Sequence, residues 1–135
     1  MGAWGVLAFD NDTANDWAYD LESADDLSLV EGALDKVERL GAGYLDADVA
    51  CEALAACEVV ARLKGRPGYT NAYTEKVDRW VDAHRLDPPV EIINRGNAAI
   101  DRILGEKSEL RELWLEAGET EWVDAVADLR RRLSG

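Results

Sequence analysis

Apolar residues recur along this chain at intervals of three and four, and nowhere do they alternate with polar ones over the length of a strand. The spacing predicts an all-α fold: one compact domain over residues 1–135, a bundle of about six to seven helices behind an irregular N-terminal segment. Residues 1–11 carry no period. Asp10, Asn11 or Asp12 then offers a cap for a first helix in which Trp17 and Leu21 share a face. A second helix is expected from about Asp25 to Leu40, with Leu27, Val30, Leu34 and Val37 on its stripe and Gly41 and Gly43 at its end. The third, about Asp46 to Lys64, repeats alanine at 47, 50, 53, 55, 56 and 61. Alanine is the strongest helix former and lets neighbouring backbones come close, so this helix should be central. Gly65, Pro67 and Gly68 end it, and Gly65–Ala72 reads as the mid-chain loop.

Thr74 looks like the cap of a fourth helix bearing Val77, Trp80, Val81 and His84. Asp87-Pro88-Pro89 breaks it and opens a fifth, which carries Ile92, Ile93, Gly96, Ala99, Ile100, Ile103 and Leu104 and stops at Gly105. Ser108 starts a short sixth helix with Leu110, Leu113 and Trp114, closed by Gly118. Thr120 caps the seventh, with Trp122, Val123, Val126, Leu129 and Leu133 as its apolar positions. Arg130–Arg132 fall at its C-terminal end, where positive charge meets the negative pole of the macrodipole. No repeat, low-complexity tract or linker interrupts the series.

Charge changes the picture more than composition does. Residues 1–60 hold 14 acids against only Lys36 and Arg39, a net of −12, whereas residues 61–135 are nearly balanced at −1. So lopsided a field bears on partner choice and association rate. It disfavours nucleic acid and anionic membranes and favours a basic protein surface or a cation. No run of about 20 apolar residues is present to cross a bilayer. The N-terminus has no basic and apolar leader, and Val6 stands where a myristoylation signal has Ser or Thr. Cys51 and Cys57 are six residues apart, about 600° and about 9 Å along a helix, so they face different ways and read as buried free thiols in a reducing cytoplasm.

Candidate chemistry concentrates at the start of the chain, in Trp4, Asp10, Asn11, Asp12, Asp16 and Asp20. Asp12, Asp16 and Asp20 follow i, i+4, i+8 and would line one helix face. Three carboxylates could hold a hard cation, which would suit a divalent-metal-dependent enzyme. The glycine and the closing glutamate of a calcium loop are missing, however, and the plainer expectation is helix capping. No catalytic residue or cofactor is assigned. His84 is the single histidine and lies on an apolar stripe, so a zinc shell or a nucleophile–His dyad is not expected. Trp17, Trp80, Trp114 and Trp122 fall on apolar stripes and read as core. Trp4, between glycines, reads as a plug for one end of the bundle, the alternative being an exposed anchor for a partner. Glu109–Trp114 reads as an exposed ion-pair face beside a Leu/Trp stripe.

Several motifs stand out together: Met-Gly-x-Trp-Gly at Met1–Gly5, Phe-Asp-Asn-Asp-x-Ala-x-Asp-Trp at Phe9–Trp17, Tyr-Leu-Asp-Ala at Tyr44–Ala47, Glu-Val-Val-Ala at Glu58–Ala61, and Ser-Glu-Leu-Arg-Glu-Leu-Trp at Ser108–Trp114. In these the chain resembles a bacterial family of small acidic proteins of unknown function, common in actinobacteria. It departs from that pattern at Gly65–Thr74, where the family has a proline-led helix start and this chain has Asn71-Ala72-Tyr73. The resemblance implies a cytoplasmic helical domain and supplies no mechanism. The charge therefore carries the functional expectation: an acidic interaction module of the immunity-protein or inhibitor kind that binds a basic protein, with a homo-oligomer or the metal enzyme as alternatives.

Overall fold

The computed structural model describes residues 3–118 and 120–135; Met1 and Gly2, where the Met-Gly-x-Trp-Gly motif opens, and Glu119 lie outside the described residues. Seven helices are found among them: α1 (Asp12–Leu21), α2 (Ser28–Leu40), α3 (Ala47–Leu63), α4 (Glu75–His84), α5 (Val90–Leu104), α6 (Glu109–Glu116) and α7 (Glu121–Ser134). Among the described residues, extended pairing is confined to two isolated bridges, Ala3 with Asn11 and Leu45 with Ser108. Among the described residues no helix is long and apolar enough to cross a membrane.

Helix α3 is the axis of the bundle and touches all six other helices. Every residue from Ala53 to Arg62 is buried, so it has no polar face over its last three turns. The alanines make this possible, because a helix surrounded on all sides must present small side chains somewhere for its neighbours to approach. The α5 and α7 crossings use the same device. A Cβ on Gly96 would stand about 3.0 Å from Leu133 and 3.2 Å from the Cys57 Sγ, and Cys57 Sγ–H points at the Gly96 carbonyl (3.7 Å).

The helix boundaries follow local chemistry. α2 starts at Ser28 rather than Asp25 because the Asp26 carboxylate accepts from the Ser28 N–H (2.9 Å), a local bond that competes with helix. Thr74 and Thr120 occupy the N-cap positions of α4 and α7, but neither makes a side-chain cap bond. Thr74 is fully buried, and its hydroxyl is spent on the Asn71 carbonyl (3.1 Å) and N–H (3.0 Å). The start of α3 is satisfied from another element: Glu109 of α6 accepts from the Ala47 N–H (2.8 Å). Beside it, the Tyr44 hydroxyl donates to Glu112 (2.8 Å), a bond that pushes the Tyr44 pKa up to about 12. Glu109 and Glu112 therefore tie down Tyr44 and Ala47 and do not form the expected ion-pair face. Among the described residues Arg111 has no acidic partner.

Trp17, Trp80 and Trp122 are core residues, and Trp114 is partly buried against Trp122, with ring centroids 6.5 Å apart. Both cysteines are free and buried. Burial pushes each thiol up to about 12, helped by Asp48 and Glu52 at Cys51 and by Glu58 at Cys57. Only the thiolate is nucleophilic. At pH 8 the folded protein should thus leave a disulfide-exchange reagent almost unconsumed, and two equivalents should react after unfolding in urea. Rapid native-state labelling of either thiol would contradict this packing.

Candidate functional site

The residues before α1 fold into a strap that turns back on itself. The Trp4 N–H donates to the Asp10 carbonyl (2.9 Å), and the Leu7 N–H donates to the Asp10 carboxylate (3.2 Å). Gly5 is required here, since any Cβ would collide with the Asp10 carboxylate. Asn11 caps α1 by accepting from the Ala14 N–H (2.8 Å), while Asn15 Nδ2 donates to the carbonyls of Phe9 (2.7 Å) and Asn11 (2.8 Å). Phe9 anchors the strap with its ring wholly buried. The Phe-Asp-Asn-Asp motif is thus a structural knot, and each polar group in it has a backbone task except Asp12.

Of the six sequence candidates, Asp10 and Asn11 are absorbed into this knot. Asp12, Asp16 and Asp20 are exposed along α1. Among the described residues no three His, Cys, Asp or Glu side chains converge in a way that could hold a metal ion. Trp4 is not a plug. It is 49% exposed and lies against Tyr73, ring centroids 5.0 Å apart, because Phe9 already fills the adjoining core position and the strap's turn faces Trp4 outward. His84 stacks on Trp80 (4.4 Å) and its Nδ1 lies 2.8 Å from the Trp80 carbonyl. A carbonyl can only accept, so Nδ1 carries the proton in that contact.

Beneath the strap is a feature that the sequence concealed. Glu58 of α3 is 1% exposed and accepts from both ends of the Arg132 guanidinium, Nη1 to Oε1 at 2.6 Å and Nη2 to Oε2 at 3.0 Å. Arg132 Nε also donates to Asp128 (2.8 Å). Arg62, one turn beyond Glu58 and 4% exposed, donates to Asp78 (2.7 Å) and to the Tyr69 carbonyl (2.6 Å) and lies 5.0 Å over the Tyr69 ring. Its Nε is 3.3 Å from Glu58 Oε1 but is not aligned to donate, and stays without a hydrogen bond. Gly68 lets Arg132 in, since a Cβ there would strike the guanidinium. Burial works against the charge on Arg132, but the hydrogen bonds and charges of Glu58 and Asp128 outweigh it and hold its pKa above the ordinary arginine value. Tyr69 completes the cluster. Burial, with Glu58 nearby, raises its phenol pKa well above the usual value, and its hydroxyl accepts from the Phe9 N–H (3.4 Å).

Both oxygens of the buried Glu58 carboxylate are taken up by Arg132. The crevice between it and the strap, walled by Val6, Leu54, Trp114, Trp122 and Val126, holds about 40 Å³. That is room for a few waters, whereas small-molecule sites run to about 300 Å³ and more. The arrangement clamps α3, α7 and the loop before α4 together. Arg130 and Arg131 likewise have acidic partners, Asp101 and Asp128, so the arginines expected only to match a helix dipole are pairing residues as well.

A family model described as a domain of unknown function, DUF4259, matches residues 2–125. The chain belongs to that family. Its match runs from the strap into α7 and takes in Glu58, Arg62 and Asp78, stopping short of Asp128 and Arg132. No curated protein and no solved structure matches the chain.

The exterior is as uneven as the sequence. Of the 14 acids in residues 1–60, Asp35 and Glu38 pair with Arg95, Glu52 with Lys36, and Glu58 with Arg62 and Arg132. The other ten have no ion-pair partner among the described residues, and all of these except Asp10 are exposed. α1 has no basic residue of its own.

Proposed function

We propose that this domain is an acidic protein-interaction module that recognises a basic protein surface. The observation that carries this reading is the run of unpaired, exposed carboxylates over α1 and the turn into α2: Asp12, Asp16, Asp20, Glu22, Asp25, Asp26 and Glu31. Charges meant for fold stability are paired internally, as Asp35, Glu38 and Glu58 are here. Charges left in water instead generate a field that steers a complementary partner. The free buried thiols suit a reducing compartment, the cytoplasm.

The test is affinity capture on the immobilised domain at low ionic strength, followed by a salt gradient. A partner of high isoelectric point should elute as the Debye length contracts, with association at least about tenfold slower in high salt. The triple variant Asp12→Lys, Asp16→Lys, Asp20→Lys should lose it. Recovery of no basic, salt-sensitive partner would defeat the reading.

A further inference from the structure

Three exposed aromatic rings lie along one seam of the molecule. Tyr73, just before α4, packs against Trp4, which the strap ties to the start of α1. One turn on, Lys76 Nζ lies 5.1 Å over the ring of Tyr19 of α1. Further along, Trp80 Nε1 donates to the Ala24 carbonyl (2.8 Å), beyond the end of α1. These three contacts hold α4 and the turn before it against α1 and the segments on either side of α1. Trp4 is 49% exposed, Tyr73 44% and Tyr19 65%. Aromatic side chains grouped on an open surface mark contact sites, because they bury large areas at low entropic cost.

We propose that the α1–α4 seam is a docking strip for an arginine-rich segment of a basic partner, whose guanidinium groups stack on Trp4, Tyr73 and Tyr19 while the α1 carboxylates take up their charge. This rests on the basic-partner reading and goes past it by naming the surface and the side chain recognised. Tyr19 shares a helix stripe with Asp12 and Asp16 (i−7 and i−3), and Asp20 follows it directly. A ring face within such a field attracts cations, as Lys76 resting on Tyr19 shows. Arginine fits better than lysine: its plane stacks on rings, sheds water readily and meets a carboxylate with two parallel bonds. A second copy of this chain is the poorer occupant, because a two-fold contact would bring the α1 acids against themselves. On the α4 side Lys76 and Arg79 are the basic groups, and Lys76 is in effect the internal competitor for the Tyr19 site.

The test uses two peptides of equal length and charge, one alternating glycine with arginine and one glycine with lysine, titrated at low salt by calorimetry and by NMR of the Trp and Tyr side chains. The arginine peptide should bind several-fold more tightly and should shift the Trp4 indole, Tyr73 and Tyr19 signals. Lys76→Ala should tighten binding. The triple variant Trp4→Ala, Tyr73→Ala, Tyr19→Ala should abolish the preference for arginine and weaken binding about tenfold. NMR mapping on the unaltered protein decides the matter if that variant folds poorly. Equal binding of the two peptides, or shifts confined to residues away from the seam, would overturn the strip and leave the basic-partner reading standing. No salt-sensitive binding of either peptide would overturn both.

Discussion

Replacing Glu58 by alanine is expected to lower the melting temperature by roughly 10–20 °C, the equivalent of about 3–5 kcal/mol for a domain of this size. The reason is what stays behind. The deletion removes the one acceptor that meets both arms of Arg132 and is the nearest carboxylate to the Arg62 Nε. Arg62 is almost wholly buried and cannot turn out to water. An intact buried pair is nearly neutral against an apolar replacement, whereas a broken one leaves charge without compensation. Adding Arg132→Met to Glu58→Ala should therefore restore part of the loss, a coupling of about 0.5–3 kcal/mol between the two sites. Thermal and urea unfolding of the two single variants and the double variant measure it. A Glu58→Ala protein melting within two or three degrees of the parent would mean that the clamp contributes little.

Phe9→Ala is the second large effect, at about 3–5 kcal/mol, the usual cost of emptying a buried ring's place. The ring has no exposed surface, and the same residue's backbone links the strap to Tyr69 and Asn15. Its loss should be felt twice. Global stability falls, and the strap detaches ahead of the rest, so that proteolysis within residues 3–8 precedes unfolding and the packing of Trp4 against Tyr73 disappears. A drop below about 1 kcal/mol, with the strap still protected, would show that the ring is not a core element.

The helical order was legible because its terminators are strong: Gly41, the Gly65-Arg66-Pro67-Gly68 stretch, Pro88-Pro89, Gly105 and Gly118 each lie between apolar stripes of helical period. The central place of α3 followed from its alanines. The outward face of α1 was legible too, since Asp12, Asp16 and Asp20 lie opposite Trp17 and Leu21. The start of α2 was missed through one local bond at Asp26. Trp4 was misread because nothing in a glycine-flanked tryptophan tells which of two nearby aromatics, Trp4 or Phe9, takes the core. The clamp was missed for a different reason. Glu58 and Arg132 are 74 positions apart, and one acid among 28 carries no label. A signal did exist: between Ala53 and Leu63 the only charged residues are Glu58 and Arg62, four apart in an otherwise apolar run. A helix with no polar face for its charges must satisfy them from inside.

The span of that clamp bears on how the chain is made. Synthesis proceeds from the N-terminus, so α3 is complete long before Arg132 exists. Until α7 emerges, the middle of the molecule holds a carboxylate with no second arginine to meet it, and any early collapse around α3 must keep Glu58 wet. A nascent chain halted before Arg132 should stay loose and open to proteases. Closure of the bundle and arrival of α7 are then a single event, for which the buried carboxylate waits on Arg132.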